Sequence, residues 1–207
     1  MKALRIIIFA KAPQPGFAKT RLIPALGAAG AAALARHMLL HTVQAALESH
    51  VGTVELCATP SIDDAAWQGI DLPPGIEISG QGGGDLGARL ARAAQRSIGQ
   101  GECVVLIGTD CVEMSAQLLD AAKDVLFDQD VLIHCTADGG YALFGLNRFD
   151  PALFSDMPWS TDAVATTTLA RLVQLGWSVH VGQMLHDVDE PQDLKLLPES
   201  WMLHVAA

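Results

Sequence analysis

The chain reads as an α/β protein with a mainly parallel sheet covered by helices on both faces. Three observations predict this. Short runs rich in Val, Ile and Leu alternate with longer Ala- and Leu-rich segments along the whole chain, the pattern of strands joined by crossover helices. The run Ile6-Ile7-Ile8 and the run 103–108 (Cys-Val-Val-Leu-Ile-Gly) are apolar in one block, as in strands buried on both faces. Finally, the 207 residues contain no internal repeat, low-complexity tract or linker, so one domain over 1–207 is expected.

The elements follow in order. Residues 4–10 form a strand, and Pro13 and Pro15 keep the following loop irregular. Residues 28–48 form an alanine-rich helix with Gly52 just past it. Residues 53–59 are a strand ended by Pro60, and 63–67 a short helix. Residues 76–78 are a short strand. The glycine loop 81–87 opens a helix over 86–98, where Leu86, Leu90, Ala93 and Ala94 share one face. Strand 103–108 ends at Gly108-Thr109-Asp110, and helix 116–127 takes Ser115 as its N-cap. Strands 131–135 and 141–146 flank the turn Asp138-Gly139-Gly140. A helix follows Trp159-Ser160-Thr161 and ends near Leu175 at Gly176. A strand over 177–181 and a terminal helix over 191–197 complete the chain.

Composition narrows the function. A net charge of −10 excludes the clustered cationic face that nucleic acid binding needs. It does not exclude a nucleotide, which needs only local cations and a metal. Cys57, Cys103, Cys111 and Cys135 show no C-x-x-C spacing, so reduced core thiols in a cytoplasmic protein are expected. The N-terminal apolar run is too short for a signal sequence and is closed by Lys11. No stretch is expected to be long enough to span a bilayer.

Ligands of open α/β sheets bind beyond the carboxyl ends of the strands. The loops 11–21, Thr109-Asp110, 136–140 and 187–189 all follow apolar runs and should meet at one edge. Lys19 and Arg21 sit between a strand and a helix. There, backbone N–H groups, the helix N-terminus and cations converge on a phosphate. This is not a P-loop, because Ala18 and Pro13 stand where that motif needs glycine. Lys11 is a further cation. Asp110 is either a helix cap or a ligand for Mg²⁺ or Mn²⁺; Ser115 serves the cap better, so metal is the expected role. Within His186-Asp187-Val188-Asp189, Asp189 is the favoured second metal contact. Asp138 either forms a turn or binds and deprotonates a hydroxyl, with Gly139 and Gly140 letting a substrate approach. Loop 81–87 either cradles a ligand or lets Asp85 cap its helix. Trp159-Ser160-Thr161 either stacks on a sugar or starts a helix.

These motifs occur together in a known order. They are Phe9-Ala10-Lys11-Ala12-Pro13-x-Pro15-Gly16-x-x-Lys19-Thr20-Arg21-Leu22, Gln81-Gly82-x-Gly84-Asp85-Leu86-Gly87-x-Arg89-Leu90, Gly108-Thr109-Asp110, Asp138-Gly139-Gly140-Tyr141, Trp159-Ser160-Thr161 and Asp187-Val188-Asp189-x-Pro191-x-Asp193-Leu194. From about residue 4 to 197 the chain resembles the DUF2064 family, also described as a radical-SAM/selenodomain-associated transferase type. That family looks like the GT-A superfamily of nucleotide-diphospho-sugar transferases and is similar to nucleotidyltransferases.

The resemblance implies a single-domain GT-A/Rossmann-like three-layer sandwich with a mainly parallel mixed sheet. It implies nucleotide contacts from Ala10, Lys11, Gly16, Lys19, Arg21, Gln81, Asp85 and Thr109, with metal on Asp110 and Asp189. The catalytic groups would be Asp138, Lys19 and Arg21. The acceptor would meet Gly139, Gly140, Tyr141, Trp159, Ser160 and Thr161. The expected reaction is metal-dependent glycosyl transfer from a nucleotide-diphospho-sugar. The alternatives are nucleotidyl transfer from a nucleoside triphosphate, or a nucleotide-binding module without catalysis. Val112 departs from the acidic position of a D-x-D signature, and Ala142 from a common second aromatic.

Overall fold

The computed structural model describes residues 2–201; the ends of the 1–207 domain, residue 1 and residues 202–207, lie outside it. One seven-stranded sheet has the order β3-β2-β1-β4-β6-β5-β7. Its strands are β1 (Leu4–Lys11), β2 (Thr53–Thr59), β3 (Ile76–Gly80), β4 (Cys103–Ile107), β5 (Val131–Cys135), β6 (Tyr141–Leu146) and β7 (Val179–Val181). β6 is antiparallel to both β4 and β5, and all other pairings are parallel.

Register explains the layers. Successive strand residues face opposite sides of a sheet. Ile6 and Ile8 therefore pack with Leu56, Val105 and Ile107 on one face, and Ile7 with Cys57, Val104 and Phe144 on the other. The first face is covered by α1 (Ile23–Ser49) and α3 (Ala116–Asp128), through Leu39, Val43, Leu119 and Leu126. The second is covered by α2 (Leu86–Gly99) and α4 (Val164–Leu175), through Leu90, Ala94 and Leu172. Both sides of β1 are buried, which is why Ile6, Ile7 and Ile8 are apolar without alternation. The three-layer mixed sheet expected from the sequence is present.

Several boundaries differ from expectation for local reasons. Gly27 has φ 70° and ψ 166° and breaks α1, so the regular helix begins where the alanine pattern placed it. The segment Thr20–Ser49 is long and apolar enough to cross a bilayer by length and composition alone. The expectation that no stretch has that length therefore does not hold, although Leu34, Met38 and Leu39 are buried within the protein. Asp85 accepts a hydrogen bond from Ala88 N at 2.8 Å and Ser115 one from Leu118 N at 3.3 Å, so both cap their helices. The helical segment Pro191–Leu196 is 3₁₀, and β7 keeps only three residues.

One polar network fastens the edge of the sheet. Arg5 donates to Glu102 at 2.6 Å, Glu77 at 2.5 Å and Glu55 at 3.1 Å. Glu55 is 3% exposed and also accepts from Arg96 and Ser79. Removing one member of such a network leaves charges buried without compensation. Arg5→Met should therefore lower the unfolding free energy by about 3 kcal/mol. Urea denaturation checks this, and an unchanged midpoint would show that the network contributes little.

Candidate functional site

The chain visits β1, β2 and β3 in one direction, then crosses back to place β4 on the other side of β1. The connections leaving β1 and β4 therefore diverge, opening a crevice at the carboxyl ends of those strands. The cleft there has a volume of about 770 Å³.

The loop after β1 builds its floor. Phe17 N and Ala18 N both donate to Gln14 O, and Lys11 Nζ donates to Phe17 O at 2.7 Å. This compact turn delivers Lys19 in a left-handed conformation, with φ 44°. A non-glycine residue held there costs on the order of 1 kcal/mol. The compensation is visible at its side chain, which is only 4% exposed. Lys19 Nζ donates to Asp110 Oδ1 at 2.6 Å, Val188 O at 2.6 Å and Asp189 Oδ1 at 3.5 Å. An ammonium has three protons, and here each has an acceptor. Lys19 was expected to point at phosphate; instead it is enclosed among protein oxygens. Arg21, two residues on, lines the cleft with no hydrogen bond or ion pair among the described residues.

The acidic side comes from two segments. β4 ends at Ile107, and Gly108-Thr109-Asp110 turns into the cleft. The segment 186–189 is drawn alongside: Val188 N donates to Asp110 O at 2.9 Å, and Cys111 bridges Asp187. Glu113 fixes the approach, accepting from His186 N at 2.7 Å and lying 2.9 Å from His186 Nδ1. Sequence reasoning missed Glu113, because an isolated exposed Glu after a strand carries no signal of its own. Burial, then the charges of Asp110, Asp189 and Asp138, push the Asp187 carboxyl up to about 7. Asp189 is also pushed up, by burial and then by Asp110, with Lys19 opposing.

Asp138 lines the same cleft. Its Oδ1 accepts from Thr136 Oγ1 at 2.5 Å and Gly140 N at 3.1 Å. Gly139 has φ 90°, and a Cβ there would overlap the backbone of Asp162. It shapes the turn and does not line the cleft. Tyr141, Trp159, Ser160 and Thr161 do line it. Tyr141 Oη and Trp159 Nε1 are buried without hydrogen-bond partners among the described residues, and burial raises the Tyr141 hydroxyl above its ordinary range. Ser160 is left-handed, with φ 63°. Thr161 closes a turn by donating to Pro158 O and accepting from Ala163 N, so neither hydroxyl caps α4.

The other expected residues divide. Ala10, Lys11, Gln81 and Thr109 line the cleft, whereas Gly16 and Asp85 do not. Asp85 is occupied as a cap. Gln81 lies 7% exposed and donates to Ala10 O and Cys57 O, so its amide bolts the ends of β1 and β2 together. Asp187, weighed in the acidic knot behind Asp189, and Asp162, unassigned from the sequence, also line the cleft.

The donor chemistry suits a hard cation. Carboxylates of Asp110, Asp187 and Asp189 gather there, the charge of Asp110 helping to raise the other two, and such oxygen donors match Mg²⁺ or Mn²⁺. No group of three or more potential ligands is assembled around one point among the described residues. Oδ1 of Asp110 and Oδ1 of Asp189 already contact the Lys19 ammonium.

This sheet, with a cationic loop after β1 and an acidic loop after β4, defines a fold of the GT-A and nucleotidyltransferase type. The chain belongs to the DUF2064 family, described as "Uncharacterized protein conserved in bacteria", whose model matches residues 42–161. A solved structure from Desulfovibrio desulfuricans G20, provisionally named a nucleotide-diphospho-sugar transferase, is similar with TM-score 0.87 and 30% identity. It covers 97% of this chain and 88% of its own. CMP:2-keto-3-deoxy-manno-octonic acid synthetase complexed with CTP shares the fold at TM-score 0.58 and 11% identity, over 98% of each chain. Rv0371C of Mycobacterium tuberculosis H37Rv, solved in complex with manganese, shares it at TM-score 0.51 and 17% identity. That match covers 96% of this chain and 100% of the other. No curated protein matches the sequence.

The Asp187 carboxyl gives a pH signature. Its native value, about 7, lies above the unfolded value of 3.8, so between those limits the native state binds more protons. Stability from this group is full below about pH 4 and is lost as pH rises through 7. Asp187→Asn should gain on wild type by on the order of 2 kcal/mol between pH 4.5 and 7.5, after allowance for partial solvation. Urea midpoints measured in chelator at both pH values check this, and a constant difference would contradict it.

Proposed function

We propose that this protein transfers a glycosyl group from a nucleotide-diphospho-sugar to an acceptor hydroxyl, with Mg²⁺ or Mn²⁺ as cofactor. One observation carries the reading. At the switch point of the sheet, a charged cluster of Lys19, Asp110 and Asp189 lies beside Arg21, which makes no hydrogen bond or ion pair among the described residues. A diphosphate is the ligand that answers both.

In this reading Arg21 grips two phosphate oxygens at once. Lys11 adds charge at the mouth of the cleft, and the strand ends at Ala10 and Thr109 set the depth of the nucleotide. Asp110 and Asp189 would hold the metal, whose contribution is to stabilise charge on the departing nucleoside diphosphate. Asp138 receives the acceptor. Its Oδ1 is held by Thr136 and Gly140, which leaves Oδ2 to orient or deprotonate a hydroxyl. Gly140, Tyr141, Trp159, Ser160 and Thr161 supply the acceptor surface, with Gly139 forming the turn beneath.

Val112 favours a second reading, nucleotidyl transfer, in which a phosphate attacks a nucleoside triphosphate and pyrophosphate leaves. The side chain of Val112 packs against the cluster of Leu22, Leu34 and Val188. The loop therefore offers Asp110 alone and not a paired D-x-D. The same packing weakens the non-catalytic reading. Of Val112 and Ala142, its support in the sequence, Ala142 is a buried core residue and Val112 packs, partly buried, against the core.

A nucleotide panel separates these. With ligand at about 100 times Kd, stability should rise by about 2.7 kcal/mol, which is roughly 5–10 °C in Tm for a chain of this size. Asp110→Asn should remove the metal-dependent part of the shift. Arg21→Ala should weaken nucleotide binding roughly tenfold or more, the loss of a charge-assisted hydrogen bond. Free nucleoside diphosphate among the products marks glycosyl transfer, pyrophosphate marks nucleotidyl transfer, and neither product marks a binding module. No shift with any nucleotide would overturn all three readings.

A further inference from the structure

We infer that Lys19 is a built-in counter-cation that holds the Asp110–Asp189 pair closed against divalent metal until a ligand's phosphates draw it away. The inference rests on the transferase reading for the identity of that ligand, but its first half concerns only this chain and a metal ion.

The geometry gives the reason. Lys19 Nζ has three protons and three protein acceptors, Asp110 Oδ1, Val188 O and Asp189 Oδ1. It therefore has no proton left for a phosphate while it stays where it is. Its side chain is 4% exposed, although the two carboxylates it touches are each more than 40% exposed. The cation is thus the covered member of the cluster and the acids are its solvent-facing shell. A phosphate cannot recruit Lys19 without breaking these contacts. A divalent ion, in turn, cannot use Oδ1 of Asp110 and Oδ1 of Asp189 while the ammonium contacts them.

The same oxygens would lose the cation they contact if Lys19 moved out alone. Asp187 adds a third carboxylate beside them, so like-charge repulsion opposes an empty site. Departure of the ammonium and arrival of a metal are therefore linked, and linkage is reciprocal. Each event lowers the cost of the other. The loop has the means to move: Lys19 is held in a left-handed backbone conformation that the three contacts must offset. Thr20 and Arg21 beside it are exposed. The consequence is an order of assembly in which metal enters with or after the phosphate ligand and binds weakly before it.

The test uses the full chain and Mn²⁺ alone, followed by electron paramagnetic resonance. Lys19→Met keeps the length of the side chain and removes its charge. It should bind Mn²⁺ on the order of tenfold more tightly than wild type. In wild type, Mn²⁺ should also increase acetylation of Lys19 by an amine reagent, read by mass spectrometry, while acetylation of Lys123 stays constant. The second measurement does not depend on the variant folding. Equal Mn²⁺ affinity in the two proteins, or Lys19 labelling unaffected by saturating Mn²⁺, would overturn the inference. A separate titration of wild type with nucleoside diphosphates and triphosphates reports on the transferase reading. Its failure leaves the Mn²⁺ comparison intact, so the two can fail independently.

Discussion

An ammonium buried among carboxylates sets the terms for the rest of the molecule. Asp110, Asp187 and Asp189 stand close enough that the charge of Asp110 raises the other two and that of Asp189 adds to the rise at Asp187. Like charges at short range need a cation or a proton. Lys19 supplies the cation to two of them, at 2.6 and 3.5 Å, and Asp187 keeps its proton to nearly neutral pH. The cluster is thus balanced by two different devices, a cation and a proton.

Such a cluster must be held by groups that do not take part in it. β1 and β4 are adjacent, with both faces buried, so the loops that leave them start from fixed points. The chain segment carrying Asp187 and Asp189 is not part of that sheet core. It is held by Val188 N on Asp110 O, by the bridge between Cys111 and Asp187, and by Glu113 on His186. Gln81 ties the ends of β1 and β2 from the other side. Those tying groups are themselves neutral or paired away from the cluster. This division matters: a scaffold that shared the cluster's charges would move whenever they did.

Much of the framework was legible in the chain. The bounds of β2, β5 and β6 follow from apolar runs ended by Pro60, by Asp138-Gly139-Gly140 and by the polar segment after Leu146. Ser115 reads as a cap and is one. What was not legible depends on contacts distant in sequence. Nothing near β6 says that it lies antiparallel between β4 and β5. Nothing near Gln81 says that its amide spans two strand ends instead of facing a ligand. Asp85 fitted a cap and a ligand equally well until Ala88 N was placed beside it. Glu113 fixes the segment through His186, 73 residues away.

Lys19 and Arg21 show the same limit at the centre of the site. In the sequence they are two similar cations one residue apart, both suited to phosphate. The backbone separates them. The left-handed turn at Lys19 sends its side chain inward to Asp110 and Val188 O, while Arg21 sits in the 3₁₀ turn Thr20–Leu22 and stays exposed. Their chemistry then fits their places. An ammonium is a compact point charge that three oxygens can satisfy, whereas a guanidinium presents a planar fork suited to two phosphate oxygens. Exchanging the two residues would put the fork where only a point charge fits and leave a single flexible ammonium at the mouth of the cleft. The loop therefore needs this lysine and this arginine in this order, even though the total charge would be the same in either arrangement.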